Sequence, residues 1–277
     1  RIEEMLNYFT YNYPEPVDGK PFSVSTEIGE CPWNSNHHLV QIGIQGKRME
    51  KKNLPPANLV FLIDVSGSMM QEDKLPLVKQ SLRMLVNEMN AQDKIAMVVY
   101  AGNAGLVLPS TTCNQKEKII EAIDKLEAGG STNGAEGINQ AYKVAKQNFI
   151  ESGNNRVILC TDGDFNVGAS SDAALTSLIE SKRDEGIFLS VLGFGMGNLQ
   201  DAKLEQLAHH GNGHYAYIDS MDEARKLFLD QGGALVTVAK DVKLQVEFNH
   251  NKVQAYRLIG YENRILKNED FRNDAKD

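Results

Sequence analysis

The chain is poor in cysteine, tryptophan and positive charge, and it has no long apolar run. Three cysteines, Cys31, Cys113 and Cys160, are spread over 277 residues, too few and too odd in number for the disulfide framework of a small secreted scaffold. Cys160 stands inside the apolar run of "RVILCTDGD", where a small buried side chain is the ordinary use of the residue. No stretch approaches the ~20 apolar residues that span a bilayer as a helix, and no basic-then-apolar leader opens the chain. Lys and Arg number 29 against 37 Asp and Glu, a formal net charge of −8. A polyanion is repelled by that balance, and Lys51, Lys52, Arg183 and Lys203 are scattered rather than gathered in a stripe, so nucleic acid is not expected as a partner. The chain opens on Arg1 and stops in the polar run "NEDFRNDAKD", and both ends are expected to have been trimmed from something longer.

What is present is a sizeable apolar fraction, 42% of the residues, in a regular order. From about 57 to 235, short apolar runs alternate with amphipathic segments. "NLVFLIDV" is continuous and rich in β-branched residues, as a strand covered on both faces must be. Leu75, Val78, Leu82, Leu85, Val86 and Met89 follow at the three- and four-residue spacing of one helix face. "KIAMVVYAG", "RVILCTDGD", "IFLSVLGFG" and "HYAYID" read as further strands. "KEKIIEAIDKLEA", "INQAYKVAKQNF", "DAALTSLIESKRDEG", "DAKLEQLAHHG" and a segment from about Met221 to Leu229 read as helices. Strands alternating with helices require a mostly parallel sheet with helices on both faces, and right-handed crossovers make it doubly wound. The fold class is therefore α/β.

The flanks are different. "PFSVSTEIGECPW" and "HHLVQIGIQGKR" precede this unit, while "DVKLQVEFN" and "VQAYRLIGYE" follow it with period-two alternation, the pattern of half-exposed antiparallel strands. A single hairpin is marginal alone, so the N- and C-terminal flanks are expected to pair as one small antiparallel β unit, with "RIEEMLNYF" as a short helix beside it. "LPPAN" marks a boundary. The expected organisation is an N-terminal extension over 1–56, the α/β domain over 57–235 and a C-terminal β segment over 236–277.

Ligands of open α/β sheets bind beyond the carboxyl ends of the strands. After the first strand come Asp64, Ser66 and Ser68. Asp162 follows a second buried strand, and "GGSTNG" offers Ser131, Thr132 and Asn133 before a helix. Carboxylate and hydroxyl oxygens are hard ligands, suited to Mg²⁺, Mn²⁺ or Ca²⁺ and poorly suited to zinc. Two aspartates about 5 Å apart at an effective dielectric near 20 repel by roughly 3 kcal/mol without a cation between them. Two carboxylates balance a dication, and hydroxyls add oxygens without further charge, so the shell keeps exchangeable positions that an outside anion can enter.

At these residues the sequence resembles the von Willebrand factor type A domain. Asp64-x-Ser66-x-Ser68, Thr132 of "GGSTNG" and Asp162 of "TDGD" match the family's metal-ion-dependent adhesion site in order and spacing. The resemblance implies that Ser66, Ser68 and Thr132 reach a metal, Mg²⁺ first, directly or nearly so. It further implies that Asp64 and Asp162 act partly through water and that an acidic group of a protein partner completes the shell. The loop has one more serine than the commoner spelling, which makes Ser131 an alternative to Thr132, the favoured ligand. The flanks, with "RIEEMLNYF", "CPWN" and "AYRLIGYENR", look like the bacterial YfbK-type proteins, in which a type A domain sits between extensions. In that group the chain continues past the position of Asp277, which implies an incomplete C-terminal β unit. It also implies a place at the cell envelope or its periplasmic side, with a lipid anchor.

Blander readings compete. Serines beside an aspartate also cap helices, and Asp164 fits a solvated turn better than an outer metal shell. "GFGMGN" lacks the last glycine of a dinucleotide fingerprint and is expected to be a loop near the metal face. His209, His210 and His214 fit a helix end followed by a strand rather than a zinc site. Trp33 and Tyr215 fit core or rim equally. Two other functions remain beside the non-enzymatic binding module. One is a Mg²⁺-dependent phosphoryl-transfer enzyme with Asp64 as nucleophile, which needs a carboxylate at position 66 and a lysine to neutralise the phosphate, whereas position 66 is serine and the three loops are read as lacking that lysine. The other is a scaffold whose metal only stabilises it.

Overall fold

The computed structural model describes residues 2–48, 54–101, 105–130, 134–163, 165, 172–195, 201–230, 242–261 and 265. It comprises two compact units, residues 1–48 with 237–277, and residues 49–236.

The smaller unit has a short helix α1 (Ile2–Asn7) and two antiparallel strands, β1 (Phe22–Glu30) and β2 (His38–Gly46), paired over their whole length from Phe22↔Gly46 to Glu30↔His38. Gly43 leaves a gap in β2 that the Tyr13 ring fills, because a Cβ at that glycine would lie 2.2 Å from the ring carbon Cζ. The Tyr13 hydroxyl accepts from Gln41 Nε2 at 2.9 Å, which fixes the ring on the sheet.

The small antiparallel β unit expected of the flanks is present, but among the described residues both of its strands come from the N-terminal flank. Among the described residues, 242–261 form no strand, and β1 pairs only with β2. Alternation decides which face of a segment is apolar, but it says nothing about whether a partner strand lies in register beside it.

The larger unit is the α/β domain. Its strands are β3 (Ala57–Asp64), β4 (Lys94–Tyr100), β5 (Gly105–Thr112), β6 (Asn154–Thr161), β7 (Phe188–Phe194) and β8 (Tyr215–Ile218), in the spatial order β5-β4-β3-β6-β7-β8. All pair in parallel except β5, which runs antiparallel to β4 at the edge. Every residue of β3, β6 and β7 is buried, as continuous apolar runs in the middle of a two-faced sheet must be.

Alternate residues of β3 serve the two faces. Leu59, Phe61 and Ile63 pack against α2 (Leu75–Glu88), α3 (Lys116–Asp124) and α7 (Met221–Arg225) through Val78, Leu82, Leu85, Ile119, Ile123 and Ala224. Val60 and Leu62 face α4 (Gly134–Gln147), α5 (Asp172–Asp184) and α6 (Asp201–His210) through Ile138, Ala141, Ile179 and Leu204. A π-helical turn, Lys226–Asp230, follows α7. Each buried aliphatic side chain of this kind contributes about 1.5–3 kcal/mol, so the two layers carry the domain.

Strand β5 was not foreseen. Pro109 interrupts its run and its pairing with β4 shifts register between Ile95 and Val98, so it lacks the unbroken pattern that marks the central strands. On the far face α4 comes close to the sheet at Gly137, where a Cβ would lie 2.7 Å from Tyr100 Cβ and 3.0 Å from a Leu62 methyl carbon.

Candidate metal site at the strand ends

Parallel pairing of β3 and β6 brings two chain turns together. Ile63 is opposite Cys160, so Asp64, the last residue of β3, lies level with Thr161, and Asp162 follows directly. Asp64 is fully buried and Asp162 nearly so, at 8% exposure. The Asp64 carboxylate is held from three sides. Ser66 N–H donates to Oδ1 at 2.8 Å, the Tyr100 hydroxyl donates to Oδ2 at 3.1 Å, and Thr161 Oγ1 lies 3.5 Å from the same oxygen. Burial pushes the Asp64 pKa above the usual aspartate range; the bonds from Ser66 and Tyr100 pull it down, and the charge of Asp162 adds to the rise. A buried carboxylate of this kind favours a cation beside it.

After Asp64 the chain enters a short 3-10 turn, Gly67–Met70, anchored by the fully buried Met69. This turn sets the two serine hydroxyls side by side, with Ser66 Oγ and Ser68 Oγ 2.9 Å apart in a shared hydrogen bond. The spacing matches the donor set expected of a small cation, since neighbouring ligands at about 2.1 Å from an octahedral Mg²⁺ stand about 3 Å from each other. Among the described residues no group of three or more His, Cys, Asp or Glu side chains could hold a metal.

Of the five residues singled out in the sequence, Asp64, Ser66, Ser68 and Asp162 gather at one end of the sheet. Thr132, with its alternative Ser131, lies outside the described residues, as do Asp164 and the part of "GFGMGN" beyond Gly195. His210 Nδ1 lies 2.9 Å from Glu180 Oε1, and the His214 backbone N–H donates to Ser190 Oγ at 3.1 Å, both at the domain's own elements rather than around a common centre. Trp33 is 68% exposed, a rim position, and Tyr215 is half-buried.

The reading that no lysine serves these loops needs correction. Lys74, the residue before α2, reaches back so that its Nζ donates to Asp162 Oδ2 at 2.9 Å. Tyr100 and Thr161 were also missed as partners of Asp64. The available signal was positional: Tyr100 ends the strand paired with β3, and Lys74 opens the helix that packs over it.

Comparison with known proteins accords with this geometry. The family model for the von Willebrand factor type A domain matches residues 58–230. The chain belongs to that family. Further models match at the flanks, one described as "von Willebrand factor" over 1–41 and one as "Uncharacterized protein YfbK, C-terminal" over 233–277. The chain is 43% identical to YfbK of Escherichia coli over 100% of its own length and 50% of that protein's, so it is a YfbK-like member of the type A family and spans about half the length of that relative. Among solved structures, BatB from Bacteroides thetaiotaomicron shares the fold at a TM-score of 0.54 and 22% identity, over 65% of this chain and 98% of BatB. A mussel byssus protein, proximal thread matrix protein 1 with a zinc-occupied MIDAS motif, aligns at a TM-score of 0.50 and 25% identity, over 66% of this chain and 45% of its own. No described helix is long and apolar enough to cross a membrane.

Proposed function

We propose that this type A domain is a metal-dependent protein-binding module. Asp64, Ser66 and Ser68, with Thr132 and Asp162, hold a divalent cation, Mg²⁺ first among them, which coordinates an acidic group of a protein partner. The observation that carries this reading is the pair of serine hydroxyls set 2.9 Å apart beside two buried carboxylates at neighbouring strand ends. The type A relative with a zinc-occupied MIDAS motif supports it.

Charge supports it as well. Asp64 and Asp162 with Lys74 leave one net negative charge, and a dication turns this into one net positive charge, which attracts a carboxylate. An adhesion site needs that surplus, whereas a purely structural metal would be best fully neutralised.

The test is chelator-controlled capture. Immobilised chain should retain a partner from envelope extract in Mg²⁺ and release it on chelation, and Asp64→Ala should lose the capture while keeping the wild-type circular dichroism spectrum. Retention of the same partner by Asp64→Ala at full strength would sink the reading.

Lys74 supplies one group that phosphoryl transfer would use, yet position 66 offers a hydroxyl where that chemistry needs a second carboxylate. Hydrolysis of a phosphate monoester that disappears in Asp64→Ala would favour the enzyme instead. On the resemblance to the YfbK group we extend the reading to the cell envelope, with lipid anchoring as its further step. Fractionation of the native host tests this, and a signal confined to cytosol would oppose it.

A further inference from the structure

The Lys74 side chain is built into the site rather than draped over it. Lysine is seldom buried without a partner, yet this side chain is 13% exposed and its ammonium meets Asp162, whose side chain is 5% exposed, at 2.9 Å. Room is made for the stem too. Gly195, in the left-handed region at φ +82°, presents bare backbone to it, and a Cβ there would lie 2.5 Å from Lys74 Cγ and 2.7 Å from Cε. The Gly195 carbonyl is in turn fixed by the Tyr217 hydroxyl at 3.1 Å. The backbone of Lys74 is tied into the start of α2, since its carbonyl accepts from Val78 N–H at 2.8 Å. The stem thus lies along bare backbone and brings one positive charge to one of the two carboxylates of the cation site.

We propose that Lys74 is a tethered counter-cation that occupies Asp162 when the site lacks its metal, and that a divalent ion displaces it. The inference rests on the metal reading above and adds the residue that sets the ion's affinity. Two like-charged carboxylates at neighbouring strand ends are costly without a cation, and the ammonium supplies one from within the chain. An incoming dication must then compete with a donor that is already in place. Once it holds Asp162, ammonium and ion repel at close range, and the flexible four-carbon stem lets the charge swing outward. Metal loading thereby exposes a positive charge at the rim of the site, where an acidic partner approaches.

Two measurements on the whole chain, stripped with chelator, test this with Mn²⁺ or Mg²⁺ alone. By calorimetry, Lys74→Met should bind the ion about tenfold more tightly than wild type, because a competing charge is gone. By acetylation and mass spectrometry of the wild type, Lys74 should react several-fold faster with saturating ion than in chelator, with the surface residue Lys125 as an internal standard. Equal or weaker ion binding by Lys74→Met, or labelling of Lys74 that is unchanged or slowed by the ion, overturns the proposal. The labelling needs no variant, so a misfolded Lys74→Met still leaves a decision. If the wild type binds neither ion, the metal reading itself fails. If it binds and the lysine does not respond, only the counter-cation role fails.

Discussion

The phenol of Tyr100 donates to Oδ2 of Asp64 across 3.1 Å, so the buried carboxylate at the end of β3 is held by the last residue of the neighbouring strand. Both residues are fully buried, and the ring is braced edge-on by Phe165 at 5.4 Å between centroids. Tyr100→Phe keeps the ring and removes one donor to the carboxylate. In chelator it should cost about 1–3 kcal/mol, read by urea unfolding. Its affinity for Mg²⁺ should fall about tenfold, since groups that orient a ligand matter nearly as much as the ligand. Unchanged affinity would show that the phenol only fills space.

Gly137 lets α4 lie on Tyr100 and Leu62. A methyl group at that position would stand 2.7 Å from Tyr100 Cβ, so Gly137→Ala must push helix and strand apart. The expected loss is about 1–3 kcal/mol of stability. Because the displaced residue is the one that holds Asp64, ion affinity should decline as well. A destabilised variant with intact ion binding would separate the helix contact from the site.

Ser190 gives the opposite pattern. Its buried hydroxyl accepts from Arg156 Nη1 at 2.7 Å and from His214 N–H at 3.1 Å, near the amino ends of the parallel strands and away from the carboxyl-end loops. Arg156 is itself buried, with the whole residue 1% exposed. Ser190→Ala should cost about 2 kcal/mol in urea unfolding, because a buried charged donor loses its acceptor. Ion affinity measured well below the denaturation midpoint should stay at the wild-type value.

The three thiols should be silent in the native chain. All are free and buried. Burial, with the charge of Asp93, pushes the Cys113 thiol up to about 12, and burial alone raises Cys160. Since the thiolate is the reactive form, an aromatic disulfide reagent at pH 8 should titrate close to none of them before urea and all three after it. Rapid reaction of a thiol in the native protein would contradict the burial of these three side chains.

Much of the α/β domain was legible because its central strands are buried on both faces. "NLVFLIDV" and "RVILC" have no polar alternation to confuse with a helix, and their ends necessarily put Asp64 and Asp162 where open sheets bind ligands. Less regular elements were not legible. Pro109 and a register shift disguised β5, and the alternation in 242–249 did not correspond to a paired strand. Within the candidate site, residue types and spacing pointed to the oxygens of Asp64, Ser66, Ser68 and Asp162. They did not reveal Lys74, because its approach to Asp162 depends on where α2 begins and on the bare backbone of Gly195, relationships that exist only after folding. Tyr100 was hidden for the same reason: strand register, not sequence distance, puts its hydroxyl on Asp64.

The two margins of the six-stranded sheet also limit how another protein can attach. On one side the outermost strand contains a proline and irregular pairing, and on the other it is only four residues long. Neither offers a long, regular ladder of free backbone groups onto which a foreign strand could zip. Association by strand addition to this domain is thereby discouraged, and recognition is steered toward side chains and loops.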